Sequence, residues 1–222
     1  MTRRKASARG QTSDSLRAAI FIILSGGFQD SYTYICRGGV FANAQTGNIV
    51  LMSGNIFAGQ WDAVIKYVIP VFMFLVGTAA AELIHRKYKN RERVHWRQII
   101  LIIEILLLFA VGFIPAGLSH PANAIVSFVC ALQVQTFHKV RGHIYASTMC
   151  IGNMRSGMEA LCAYFHSRDK AALGRAGTYF AVILIFAVGA GLGSIAAGWM
   201  GIRTIWVCCP LLLVSFLMML RN

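Results

Sequence analysis

The sequence predicts an all-α, polytopic membrane helix bundle: about six transmembrane helices, two polar interrupted or re-entrant segments, and an inverted 3+3 repeat. Three observations carry this. Hydrophobic residues make up 57% of the 222 and charged residues 13%, against about a quarter charged in soluble domains, and the mean hydropathy is +0.61. Apolar stretches recur at the length of a membrane span. A polar motif occurs twice at a constant offset. An ordinary water-soluble globule is excluded. The net charge of +13 would suggest nucleic acid in a soluble protein, but the positive-inside rule accounts for it here, so no nucleic-acid partner is expected.

Residues 1–16 read as a basic cytoplasmic tail carrying Arg3, Arg4, Lys5 and Arg9. Residues 17–222 read as a single transmembrane domain. The strong apolar segments are 17–36, 63–84, 98–118, 121–139, 176–198 and 202–220. Each is roughly 19–22 residues, enough to cross a hydrocarbon core of about 30 Å. The first contains Gln29 and Asp30 and has no clean cleavage site, which favours an uncleaved span over a signal peptide. Two further stretches, 41–60 and 144–165, are only half apolar.

Charge decides between six spans and eight. With both weak stretches non-spanning, the tail, the 85–97 loop and the 139–175 basic residues share one side. Only Arg37, Lys66 and Arg203 of the 21 Lys and Arg are then left opposite. Eight spans would put the 85–97 loop outside. The bias favours six spans with both termini cytoplasmic. Trp61, Trp96, Trp199 and Trp206 fall near span ends, where an aromatic belt places them. The alternative is that 41–60 and 144–165 are short, tilted spans.

Gly47-Asn48, closing a run that opens at Phe41, returns as Gly152-Asn153, closing a run that opens at Tyr145, an offset of 105. At that offset Asp30 matches Gln135 and Ser31 matches Thr136. Tyr67, Phe74, Val76 and Gly77 recur at Tyr179, Phe186, Val188 and Gly189, with the extra seven residues assigned to the basic loop His166–Arg175. The halves are about 17–118 and 121–220. Three spans per half is odd, so the halves are inverted, as in many secondary transporters.

Polar side chains at membrane depth are costly and are candidates for function. One half-site comprises Gln29, Asp30, Thr33, Gln45, Thr46 and Asn48; the other comprises Gln133, Gln135, Asn153 and Arg155. Asp30 follows Gly26-Gly27 and is read either as a cation or proton site or as a cap for the next polar segment. Arg155 and Glu159 are four apart, so a helix would pair them; a cavity would instead let Arg155 meet an anion. Glu104 reads as a proton relay or as an interfacial, ion-paired carboxylate. The glycines at 189, 191, 193 and 198 read as a packing seam. The six Cys read as buried thiols with no CxxC spacing. No metal, cofactor or nucleophile motif is present, so no catalytic residue is assigned and the chain is not expected to be an enzyme.

The stretch Gly27 to Thr33 (Gly-Phe-Gln-Asp-Ser-Tyr-Thr) and the stretch Gly38 to Asn48 ending in Thr-Gly-Asn resemble the signature of the YoaK-type family of uncharacterised bacterial transmembrane proteins. Ala131 to Gln135 and Met149 to Asn153 are similar to its C-terminal element, with departures at Val134 and Ile151. The resemblance covers nearly the whole chain after residue 17. It implies a polytopic inner-membrane protein and no substrate.

The expected function is a small-molecule secondary transporter or permeation protein for a small polar substrate, with membrane lipid as surroundings and a homodimer as a plausible assembly. The alternatives are a non-catalytic membrane assembly or regulatory protein, and a membrane enzyme acting on a lipid-soluble substrate.

Overall fold

A computed structural model describes residues 16–88, 96–137, 139–140, 143–144 and 150–220. The fold is all-α. In chain order the helices are α1 (Leu16–Cys36), α2 (Gln45–Phe57), α3 (Trp61–Tyr88), α4 (Trp96–Val111), α5 (Ser119–Thr136), α6 (Cys150–Ser167), α7 (Lys170–Met200) and α8 (Cys208–Leu220). A 3-10 segment, Gly201–Val207, joins α7 to α8. The residue pairs Lys139–Val140 and His143–Ile144 form a minimal antiparallel ladder between α5 and α6. The tail at residues 1–15, the basic residues Lys89, Arg91 and Arg93, and the start of the second polar motif at 145–149 lie outside the described residues.

The predicted segments map onto helices with three adjustments. The segment 98–118 is helical only to Val111. Beyond it the chain makes tight turns, Phe113 N to Ala110 O and Ile114 N to Val111 O, before Pro115. The stretch His166–Arg175 is not a loop. Ser167 ends α6, Arg168 takes a positive φ of 55°, and Asp169 caps α7 by accepting a bond from the Ala171 amide at 2.9 Å. A side-chain cap satisfies one of the amides a new helix leaves open, so the helix begins there. The polar stretch 41–60 becomes a 13-residue helix, about 20 Å long, preceded by a buried irregular segment in which Val40, Ala42 and Asn43 are all enclosed.

Packing follows small residues. Helix α1 lies against α7 and α8, and α5 against α3 and α4; α2 rests on α3, α6 on α7, and α4 on α8. Where α1 crosses α7, a Cβ on Gly189 would overlap the Leu24 carbonyl and one on Gly27 would overlap the Phe186 carbonyl; one on Gly193 would stand tightly against Phe28, at 3.0 Å. Where α3 crosses α5, a Cβ on Gly77 would come within 2.5 Å of the Phe128 carbonyl. Backbones can approach this closely only at such residues. Gly191 and Gly198 have open space instead, so the seam read from the sequence is made by Gly189 and Gly193 alone.

The main core gathers Ile22, Tyr32, Leu101, Leu108, Val126, Cys130 and Leu212 from α1, α4, α5 and α8. The outward faces are apolar too: Phe72 and Leu75 on α3 and Leu184, Leu192 and Trp199 on α7 are exposed. Helix α3 and the continuous run Lys170–Leu220 are long and apolar enough to cross a membrane.

Candidate functional site

The middle of α1 is polar because four consecutive turns contribute a hydrogen-bonding group to one side of the helix. Ser25 and Gln29 are one turn apart and both are fully buried. Gln29 Nε2 donates to Ser25 Oγ at 3.0 Å and to Gln133 Oε1 on α5 at 3.2 Å. The Cys130 thiol donates to Gln29 Oε1 at 2.9 Å, and Gln133 Nε2 donates to the Ile22 carbonyl at 2.5 Å. The two glutamine side chains thus form the centre of a closed network where α1 meets α5. Buried amides cost free energy unless so paired. Thr33, also buried, turns its hydroxyl back to the carbonyls of Gln29 and Asp30.

Asp30 is half-buried one position further on. Its Oδ1 accepts from the Asn43 amide at 2.8 Å, and Asn43 Nδ2 donates to the Gly26 carbonyl at 3.3 Å. The carboxylate thereby ties the irregular segment before α2 to α1. Among the described residues no Lys, Arg or His is within ion-pair distance of Asp30. It faces the start of α6 as well, close enough for its charge to be felt at the Cys130 and Cys150 thiols.

Asn48, in the first turn of α2, is fully buried and closes that segment from the other side. Its Oδ1 accepts from the Phe41 amide at 3.2 Å, and its Nδ2 donates to the Phe41 carbonyl at 2.6 Å and to Gln45 Oε1 at 3.0 Å. Gln45 Nε2 in turn donates to the Ala42 carbonyl at 2.7 Å. Asn153 holds the corresponding place in the first turn of α6 and is 2% exposed. Each of these asparagines is the enclosed residue of an otherwise partly exposed first turn, and both helices end exposed: Phe57 at the end of α2 is 93% exposed and Phe165 near the end of α6 is 62% exposed.

Of the ten residues singled out in the sequence, Gln29, Asp30, Thr33, Gln45, Asn48 and Gln133 are gathered at or beside the meeting of α1, α5 and the α2 start, and Asn153 is buried at the start of α6. Three lie elsewhere. Thr46 is exposed. Gln135 turns toward α3, its Nε2 3.5 Å from Glu82 Oε2. Arg155 faces outward and pairs with Glu159 at 2.9 Å; its side chain is 80% exposed, so the i,i+4 pairing prevails.

Sequence reasoning passed over Ser25, Asn43 and Cys130, which complete the network. Their signal was present: Ser25 precedes Gln29 by four residues and Cys130 precedes Gln133 by three, the spacings that share a helix face. It also passed over Arg37, counted as a loop charge. Arg37 is fully buried. It donates to Tyr32 Oη at 2.6 Å and to the carbonyls of Pro115, Ile114 and Val111 beyond the end of α4, at 2.8, 2.7 and 3.3 Å. Its own carbonyl accepts from Asn123 Nδ2 at 2.9 Å. The guanidinium serves as the cap that the C-terminus of α4 lacks. All six cysteines are free thiols, and among the described residues no group of His, Cys, Asp and Glu is arranged to hold a metal.

The molecule is thus an α-helical bundle with two helices of membrane-spanning length and a polar network in its core. The family model described as protein of unknown function DUF1275 matches residues 18–218, and the chain belongs to that uncharacterised family. No curated protein matches the chain, and no solved structure does.

Proposed function

We propose that this is a multi-pass inner-membrane protein, with six spans and both termini cytoplasmic, that moves a small polar solute and is not an enzyme. The single observation that carries the reading is the buried irregular segment before α2, tied to Asp30 and Gly26 of α1 beside the α1–α5 polar network. Transporters of inverted-repeat type place solute at interrupted helices where the repeats meet, and irregular backbone at membrane depth is tolerated where it is protein-buried or lines a cavity.

The packing pattern supports the repeat. Taking α1 to α4 as one half and α5 to α8 as the other, three contacts have a counterpart: α1 on α7 and α5 on α3, α2 on α3 and α6 on α7, α1 on α8 and α5 on α4. Gly77 and Gly189, matched from the sequence, each sit where two helix backbones approach too closely for a Cβ. The first helix pair is better aligned at a separation of 104, which brings Gln29 opposite Gln133, the pair that bond to each other. In that register Asp30 matches Val134, so the carboxylate belongs to one half only. Apolar outward faces on α3 and α7 favour lipid as the surroundings and leave room for a homodimer.

The second reading, an assembly or regulatory protein, is favoured by how fully Gln29, Gln133, Asn48 and Asp30 are bonded to the protein itself. A thermal-stability screen of the purified protein against amino acids, sugars, nucleobases and organic ions separates the two. A ligand at about 100 times its dissociation constant adds roughly 2.7 kcal/mol. A hit lost in Asp30→Asn supports solute binding. A well-folded protein with no hit, and with Asp30→Asn and Asn48→Ala that mainly unfold it, supports the packing role.

A further inference from the structure

Glu104 stands apart from every polar group described above. It lies in the second half of α4 and is 0% exposed, and among the described residues neither carboxyl oxygen has a hydrogen-bond partner. The described residues of the elements packed against α4 supply it no counter-charge. From α5 comes the Cys130 thiol, which feels both Glu104 and, across the network, Asp30 of α1. From α8 come Cys208 and Cys209, whose thiols bond instead to the carbonyls of Ser25 and Ile105. Helix α3 meets α4 at its far end, where His85 stacks on Trp96 and Glu82 pairs with Arg86. The 3-10 segment brings Arg203, held over Trp206. On α4 itself the nearest charge is Arg97, about two turns away.

An ionised carboxylate enclosed without partner or donor is the least favourable state a side chain can be given. A hard metal cation would need several oxygen ligands at once, and among the described residues no group of His, Cys, Asp and Glu is arranged to hold one. A proton needs only the carboxyl itself. We propose that Glu104 is a proton-binding site: it is held as the neutral acid while α4 is closed against α5 and α8, and it releases its proton to water only when those helices part. The proton's use as the coupling ion rests on the transport reading; its binding does not.

Full-length protein in lipid nanodiscs, prepared with carboxyl-labelled glutamate, is measured by infrared spectroscopy at neutral pH in water and in heavy water. The expected result is a protonated-carboxyl carbonyl band that moves with the label and on deuteration, is lost in Glu104→Gln, and persists in Glu82→Gln, Glu92→Gln and Glu159→Gln. A wild-type spectrum in which the label moves carboxylate bands alone overturns the proposal without recourse to any variant, so a misfolded Glu104→Gln does not obscure it. Thermal unfolding against pH gives a second readout. The native state holds a proton that the unfolded chain gives up, so raising the pH above the ordinary glutamate range favours unfolding, by up to about tenfold in the folding constant per pH unit. Glu104→Gln removes that dependence; parallel curves for wild type and variant overturn the proposal. Stabilisation by sodium over potassium at fixed pH, lost in Glu104→Gln, would also overturn it by assigning a metal cation. If the band is present but solute flux in proteoliposomes moves no protons, coupling fails while the site stands. If no solute moves at all, the transport reading fails and the site still stands.

Discussion

Among the described residues, one Arg and one Glu are completely enclosed, and both belong to the surroundings of α4. Arg37 sits beyond its C-terminus with four hydrogen bonds, three of them to carbonyls of the 111–115 turn. Glu104, two turns inside the same helix, has none. The difference teaches how a buried charge is to be read. Where open carbonyls of a helix end surround a cation, the charge completes the architecture. Where a carboxyl faces side chains that bond elsewhere, nothing in the architecture uses it, and the reason for it lies outside the static fold.

The first way to sharpen the comparison is to remove the compensated charge. Arg37→Met leaves the Val111, Ile114 and Pro115 carbonyls and the Tyr32 hydroxyl without their donor, and should cost about 3–5 kcal/mol, the range for breaking a buried charged network. Denaturant unfolding in detergent reads it. Arg37→Lys should recover part of the loss, because an ammonium cannot reproduce the planar fork. If Arg37→Met is as stable as wild type, the compensated and uncompensated charges do not differ in the way described.

Next comes the crossing of α1, the helix that leads to Arg37, with α7. Gly189→Ala should lose about 1–3 kcal/mol by overpacking against Leu24, while Gly191→Ala, with open space around it, should stay within about 0.5 kcal/mol of wild type. The same thermal measurement on both variants checks this, and equal effects would mean that the crossing is not set by close packing.

The Gln29–Gln133 pair is the neutral counterpart of both charges. A double-mutant cycle between Gln29→Ala and Gln133→Ala should give a coupling of about 1 kcal/mol, within the span of 0.5–3 kcal/mol found for contacting residues. Additive effects would break up the central network. The smallest effect belongs to the outward ion pair: Arg155→Ala should leave stability nearly unchanged, since an exposed pair gains little, and whatever change there is should fade in high salt. A larger, salt-insensitive loss would bring Arg155 back toward the interior.

Much of the arrangement was legible along the chain. Span-length apolar runs foretold the helices, because a bilayer and a packed bundle both demand long apolar faces. The glutamines were visible because an amide in the middle of such a run has to be paired. What could not be read was direction. Arg155 and Gln135 lie within a few residues of buried positions, yet one turns outward to Glu159 and the other toward Glu82, since neighbouring helical positions differ by about 100°. The start of α7 at Lys170 was hidden by the run of basic residues, which look like a loop until Asp169 is seen to cap them.

By itself the sequence determined the helical class, the crossing of membrane-length segments by polar positions, and the small residues at which helices could meet. These follow from local composition and periodicity, which a single chain carries in full. Only the tertiary structure decided which polar groups satisfy one another. Gln29 meets Gln133 across 104 residues and Arg37 meets Pro115 across 78, and hydrogen bonds between such distant positions leave no local trace. For the same reason the sequence could not separate Arg37 from Glu104: whether a buried charge is answered or left alone depends on what the other helices bring beside it.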